Sequence, residues 1–453
     1  MKLTVKNLGV VSHAEIDLSK DLLIFTGENN SGKTYLAYTV HAIFDPDISG
    51  GEMYNEGIEF DAHGKYKIDL LDQLLNPKIQ SEIVNDYLAK RVNQNLNSYF
   101  STENGFFSQT QLSLEIQEID IDKSRLLGFE INDILSKIFI SKAKGDRFLH
   151  FSRNKDAGKW SLKDAVVESL RQIALKILLN KTVIFPSVRE GINLFNKELS
   201  VIKNKTFDTL LSRNETQDLS RFLASRFNKY PKAIRNSLSM AQNLDAQRTQ
   251  TSDFAHLADE LENLFLQGKI SVNTEGDVLF KPFGSERSLD IHMTSSTIKS
   301  LSLLTIYLRH TAQKNDFIII DEPELNLHPD NQRKIARFMG RLINEGFKVL
   351  VSTHSDYIVR ELNNLIMLDS GLKNKPDDAE ALLKTYAYAT NELLDKDRVG
   401  VYLFRVGQPV AEVPISETGF NVATIDEEAR KLNQSSQDIY FTLFDKSCAR
   451  TLC

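Results

Sequence analysis

The chain has 453 residues, with 55 Lys and Arg against 61 Asp and Glu and a formal net charge of −6, a balance that argues against a chain-wide basic surface for nucleic acid. Apolar residues make up 41% and charged residues 26%, the composition of a globular protein that can bury one large or two moderate domains. No apolar run approaches the roughly 20 residues that span a bilayer, so no membrane partner is expected.

In chain order, Lys2–Leu8 alternates like a strand and MKLTVKNLGV lacks a signal-peptide core. Asp21–Phe25 is a short apolar run suited to a buried strand, and Tyr35–Phe44 has helical apolar spacing that stops before Pro46. From about Ile48 to Gly158 the pattern is mixed, with a helix expected around Asp72–Leu96 and an alternating strand at Gln111–Ile116. Helical signal returns at Ser161–Leu179. A strand at Lys181–Phe185 follows, and a Pro-Gly-flanked turn then presents Arg189. Residues 195–268 are polar and helix-favouring, with Pro231 their one proline, and read as an insertion of two to four helices ending in Phe254–Phe265. Within it, Arg221–Arg235 interleaves five cations with aromatics, a pattern that a solvated helical face accounts for. A hairpin is expected over Gly268–Phe280, with Thr274-Glu275-Gly276 at its turn.

Two further apolar strands end in polar residues: Asp316–Asp321, followed by Glu322, and Lys348–Thr353, followed by His354. A helix at Asn331–Glu345 lies between them. Gly400–Ile415 reads as a hairpin, followed by a helix at Asp426–Leu432 and a separate amphipathic stretch at Ser436–Phe444. The two cysteines, Cys448 and Cys453, are too few for a disulfide framework, which fits a reducing cytoplasm.

The chemistry gathers at three places. Phe25–Thr34, FTGENNSGKT, carries Gly27-x-x-x-x-Gly32-Lys33-Thr34 between a strand and a helix. That spacing lets successive backbone N–H groups curl round an anion at a helix N-terminus, with Lys33 reaching β/γ-phosphates and Thr34 reaching Mg²⁺. Ligands sit beyond the carboxyl ends of parallel strands, so Asp321 is placed to hold Mg²⁺ and Glu322 to polarise an attacking water. His354, at the end of the next strand, is placed to contact the γ-phosphate or that water. The strand–helix alternation describes an α/β fold with a mainly parallel sheet flanked by helices.

GENNSGKT, IIIDEPELNLHP and STHSDY together resemble the SMC/RecF-type branch of the ABC ATPases, and more narrowly the compact prokaryotic AAA-15/AAA-21 ATPases that accompany OLD-type and anti-phage defence systems. The resemblance covers roughly residues 1–45 and 180–370. It implies ATP and Mg²⁺ as cofactors, with Gly27, Asn29, Asn30, Ser31, Gly32, Lys33 and Thr34 around the nucleotide. It makes Thr34 and Asp321 the metal ligands, Glu322 the catalytic base, Lys33 and His354 further catalytic groups, and Asn326–Pro329 a D-loop. In VIFPSVREG, Arg189 becomes a candidate phosphate or switch contact. His292–Leu301 stands where the signature motif is expected, so Ser295 or Ser296 would cap a helix and reach ATP on an opposite subunit. Thr297 stands where the family usually has glycine. Gln109 and Gln111 are the candidate Q-loop residues.

The resemblance implies a homodimer that sandwiches ATP and controls a separate effector, a nuclease or toxin of a defence system. A RecF-like DNA-repair or DNA-sensing ATPase, which would bind nucleic acid, is an alternative. So is a nucleotide-gated sensor with little hydrolysis. The expected organisation is an N-terminal part of the ATPase head over 1–194, a helical insertion over 195–268, the rest of the head over 269–370 and a C-terminal α/β extension over 371–453 that caps the sheet or docks the partner.

Overall fold

The structure, a computed structural model, describes residues 1–44, 65–70, 88–103, 105–115, 131–135, 138–153, 181–192 and 230–444, together with the single positions 61, 85 and 169. The expected helix at Ser161–Leu179, most of the one at Asp72–Leu96 and the first part of the helical insertion lie outside the described residues.

Sixteen strands are described: β1 (Lys2–Leu8), β2 (Val11–Asp17), β3 (Leu22–Gly27), β4 (Lys65–Asp69), β5 (Gln111–Glu115), β6 (Ile131–Leu135), β7 (Ile138–Lys142), β8 (Phe148–Arg153), β9 (Thr182–Phe185), β10 (Gly268–Val272), β11 (Val278–Pro282), β12 (Leu289–Asp290), β13 (Phe317–Asp321), β14 (Lys348–Thr353), β15 (Val399–Phe404) and β16 (Ala411–Val413). The principal helices are α1 (Lys33–Phe44), α2 (Gln94–Phe100), α3 (Lys232–Gln242), α4 (Ala255–Leu261), α5 (Ser296–His310), α6 (Pro329–Asn344), α7 (Asp356–Asn374), α8 (Pro376–Tyr386) and α9 (Ala423–Leu443).

The central sheet has six strands in the order β16-β15-β3-β14-β13-β9. All its pairings are parallel except β15 with β16. Parallel sheets are covered on both faces, so their strands read as continuous apolar runs, and this sheet shows how the alternation is used. In β3, Leu23 and Phe25 enter one core while Leu22 and Ile24 enter the other. In β13, Phe317 and Ile319 face the first core, and Ile318 and Ile320 the second. The first core is closed by α1 and the small antiparallel sheet β2-β1-β5, and the second by α4, α5, α6 and α7.

The register brings the carboxyl ends of four strands to one edge: Thr353 pairs with Thr26, Ser352 with Asp321, and Phe404 with Gly27. The C-terminal hairpin thus completes the sheet, since β15 lies directly beside the strand that carries the glycine-rich loop. The hairpin expected over Gly268–Phe280 forms as β10–β11, its turn tightened by Asn273 Oδ1, which accepts from the Glu275 and Asp277 amides at 2.9 and 2.8 Å. No helix among the described residues is long and apolar enough to cross a membrane.

Candidate nucleotide site

The glycine-rich loop is shaped by close packing on both sides. Gly27 has φ +125° and lies against the Phe404 backbone, where a Cβ would overlap the Phe404 carbonyl. Gly32 has φ +98° and presses on Val11, leaving no room for a Cβ. With Asn30 at φ +56°, these left-handed residues turn the chain from β3 directly into α1, whose N-terminus faces the loop. Glu28 tethers the loop to β15: its amide donates to the Phe404 carbonyl at 3.0 Å, and its Oε2 accepts from the Val406 amide at 3.0 Å.

Lys33 is buried inside this curl. Its Nζ donates to the carbonyls of Glu28 at 2.5 Å and Gly27 at 3.3 Å, and lies 3.4 Å from Ser31 Oγ. Burial pushes its ammonium down to about 8, against the opposing pull of the Glu322, Asp321, Glu324 and Glu28 carboxylates. Thr34 Oγ1 lies 3.3 Å from both carboxylate oxygens of Asp321. The Asp321 carboxylate also accepts from Ser352 Oγ on the neighbouring strand. A hydroxyl and a carboxylate at the mouth of an anion cradle are hard oxygen donors, a set that fits Mg²⁺.

Glu322 stands at the strand end with φ +52°, and its amide donates to both the Ser352 carbonyl and Oγ at 3.1 Å. Burial first, and then Asp321, raises its carboxyl above the ordinary range, while Lys33 and Arg189 act the other way. His354, half-buried at the end of β14, is held below the ordinary imidazole range by burial and by the charge of Lys33; its bond to the Gly27 backbone opposes both. The structure therefore brings Lys33 and Thr34, at the start of α1 beyond β3, together with Asp321 and Glu322 at the end of β13 and His354 just after β14, the strand between them. Asn29 and Asn30 are exposed on the lip of the loop and Ser31 is buried within it.

Arg189 departs from the sequence expectation of a phosphate or switch contact. It is 2% exposed, and its guanidinium donates to the carbonyls of Asp321 at 2.8 Å, Glu322 at 2.9 Å and Pro186 at 3.4 Å. It holds the backbone of the two carboxylates from behind. Its neighbour Glu190 extends the clamp by accepting from Asn326 Nδ2 at 2.9 Å, and Asn326 has φ +62°.

Ser295 is the N-cap of α5, its Oγ accepting from the Ile298 amide at 3.4 Å. Ser295 and Ser296 are both exposed, so each can face a second molecule. Thr297 Oγ1 donates to the Asn326 carbonyl at 3.2 Å, tying the start of α5 to the loop that follows Glu322. Gln109 and Gln111 are exposed at the β1–β5 edge, where Gln111 pairs with Lys6 and the Gln109 carbonyl accepts from Asn7 Nδ2 at 3.4 Å. Sequence reasoning missed Glu324, a half-buried residue whose Oε1 accepts from Thr353 Oγ1 at 2.9 Å and from the His354 amide at 2.7 Å, locking the β13 and β14 ends together. The signal was present as a third carboxylate two residues beyond Glu322 in IIIDEPELNLHP.

A glycine cradle, a buried lysine and a strand-end Asp-Glu pair are the donors and charges that a nucleoside triphosphate with its metal ion requires. The family model described as AAA ATPase domain, AAA_15, matches residues 1–359. The chain belongs to this family. Membership implies ATP binding.

Two curated ATP-binding proteins match over shorter stretches. The energy-coupling factor transporter ATP-binding protein EcfA2 of Mycoplasma mobile is 25% identical over 127 residues, 27% of this chain and 38% of the relative. EcfA of Carboxydothermus hydrogenoformans is 36% identical over 61 residues, 13% of this chain and 23% of the relative. The chain thus spans well under two thirds of either relative's length. Among solved structures, the Smc head domain with an extended coiled coil bound to the C-terminal domain of ScpA, from Pyrococcus furiosus, aligns at a TM-score of 0.33 and 13% identity, covering 96% of this chain and 98% of that one. The SMC head domain from Thermotoga maritima aligns at 0.33 and 11%, covering 92% and 98%.

Proposed function

We propose that the chain binds and hydrolyses ATP with Mg²⁺, as a head-to-tail dimer in which each site is completed by Ser295 or Ser296 of a second copy, and that this cycle controls a separate effector. The observation that carries the reading is the convergence of Lys33 and Thr34, at the start of α1, on Asp321, Glu322 and His354 at two adjacent strand ends, with Thr34 3.3 Å from Asp321. Lys33 and the loop amides bind the phosphates. Thr34 and Asp321 would hold Mg²⁺, which when bound neutralises phosphate charge. Glu322 orients and deprotonates the attacking water, helped by its raised proton affinity, and His354 donates toward the phosphate. The effector and its defence role rest on the family resemblance alone.

A second reading, a nucleotide-gated sensor with slow turnover, is favoured by Thr297: its hydroxyl already engages the Asn326 carbonyl of its own chain, where a glycine would leave that loop free. Mixing two inactive variants tests the composite site. Lys33→Ala lacks the phosphate-binding ammonium and Ser295→Arg/Ser296→Arg blocks the signature helix. A head-to-tail dimer of one of each retains one intact site, so the mixture hydrolyses ATP although neither variant does alone. A mixture as inactive as its components refutes the sandwich, and slow wild-type turnover with tight ATP binding selects the sensor.

A further inference from the structure

The turn Thr353-His354-Ser355 leads from β14 into α7 and carries the histidine of the site. On the β13 side the ladder ends just before it. Its last pair is Asp321 with Ser352, and Glu322, at φ +52°, turns the chain out of the sheet after donating its amide to Ser352. Backbone donors at a packed strand end still need acceptors, and here a side chain supplies one. Glu324 Oε1 accepts from the His354 amide at 2.7 Å and from Thr353 Oγ1 at 2.9 Å, and Thr353 Oγ1 accepts from the Ser355 amide at 3.1 Å.

A second side chain holds the far end of the turn. Gln332 lies in the first turn of α6, and a primary amide can donate and accept at once. Its Oε1 accepts from Ser355 Oγ at 2.5 Å, and its Nε2 donates to the Leu327 carbonyl at 2.9 Å. The Leu327 amide donates to the Glu324 carbonyl at 2.9 Å. These bonds close a circuit from Glu324 through Thr353, Ser355, Gln332 and Leu327 back to Glu324. Ser355 Oγ also accepts from the Ile358 amide at 3.1 Å as the N-cap of α7, so the circuit sets where that helix begins. It fixes the backbone of His354, whose imidazole bonds the Gly27 backbone of the glycine-rich loop.

We propose that Glu324 and Gln332 are positioning residues for ATP hydrolysis, acting through His354 and not through contact with the nucleotide. The proposal rests on the reading of His354 given above. Removing Gln332 separates Ser355 from Leu327 and leaves the turn held from the Glu324 side alone. A misplacement of about 1 Å at a group that acts on the reacting atoms costs on the order of 100-fold, so Gln332→Ala should lower turnover roughly 10- to 100-fold. Alanine favours a helix, so α6 is expected to keep its fold.

The test compares Gln332→Ala, Glu324→Ala, Glu324→Gln and His354→Ala in the full chain at neutral pH. It measures turnover at saturating Mg²⁺-ATP, ATP affinity, melting temperature and the ring NMR signals of His354, assigned by their loss in His354→Ala. Gln332→Ala is expected to lose turnover with ATP affinity unaltered and to shift or broaden the His354 signals. Glu324→Gln, which keeps an acceptor, should recover most of the turnover that Glu324→Ala loses. Gln332→Ala/His354→Ala should be no slower than His354→Ala. A slow His354→Ala beside a Gln332→Ala with full turnover and unmoved His354 signals overturns the proposal alone. So does a Gln332→Ala that loses ATP affinity and turnover together. Absent turnover in the unaltered chain, or full turnover in His354→Ala, overturns the reading given above and the proposal with it.

Discussion

Replacing Arg189 with lysine keeps the buried positive charge and removes the fork. The guanidinium bonds the carbonyls of Asp321 and Glu322 at the same time, at 2.8 and 2.9 Å, whereas one ammonium on a lysine stem reaches only one of them. A hydrogen bond to a charged group contributes about 1.5–3 kcal/mol. Glu322 is the residue most exposed to that loss, because its backbone sits at φ +52°, a conformation that costs a non-glycine residue about 1–2 kcal/mol and relaxes when support is removed. If the loss falls on the competent position of the Glu322 carboxylate, turnover drops roughly 10- to 100-fold, at 1.36 kcal/mol per factor of ten.

ATP affinity should change little in Arg189→Lys, since the cradle around Lys33 does not include Arg189. Steady-state hydrolysis and equilibrium binding of a fluorescent ATP analogue separate the two quantities. Adding Arg189→Lys to Glu322→Gln should cost nothing further, because the clamp acts through that residue. Equal losses in binding and turnover would refute the reasoning and return Arg189 to the phosphate.

Three other outcomes follow from the same geometry. Burial holds Lys33 at about 8, below the 10.5 of a free lysine, so between those values the unfolded chain binds a proton that the folded chain has released. Stability contributed by this group therefore rises with pH across that window. ATP binding needs the ammonium and runs the other way, weakening about tenfold per pH unit above about 8; titrations on either side of that value check it, and a flat affinity contradicts it. Gly27→Ala places a methyl on the Phe404 carbonyl at φ +125°, so the variant should lose more than about 3 kcal/mol of stability, seen as a fall in the urea midpoint. Glu324→Gln keeps an acceptor for the His354 amide while removing a charge near Lys33. It should preserve the fold and lower the Lys33 proton affinity further, shifting the pH profile of ATP binding downward.

The strands that build the site were legible because each is buried on both faces and so reads as an unbroken apolar run: Asp21–Phe25, Asp316–Asp321 and Lys348–Thr353. The capping of α5 by one of Ser295 and Ser296 and the β10–β11 turn were legible for local reasons, a hydroxyl before a helical pattern and a Thr-Glu-Gly turn; the structure makes Ser295 the cap. The parallel pairing of β15 with β3 was not, since it joins residues more than 370 positions apart and leaves no local signal.

The sequence also divided α9 in two. Its Asn433-Gln434-Ser435 stretch favours turns, yet no glycine or proline interrupts Ala423–Leu443, and the helix runs through. For Arg189 the family resemblance implies a phosphate or switch contact. Its burial behind β13, with the guanidinium on the Asp321 and Glu322 carbonyls, is a property of tertiary packing that no spacing encodes.

The most direct test of the account measures Mg²⁺-ATP binding and turnover side by side for the unaltered chain, Lys33→Ala and Glu322→Gln. The account predicts binding with turnover in the first, neither in the second, and in the third binding retained with turnover reduced at least about 100-fold, as for loss of a general base. Binding that is indifferent to Lys33→Ala, or turnover that is indifferent to Glu322→Gln, would contradict it.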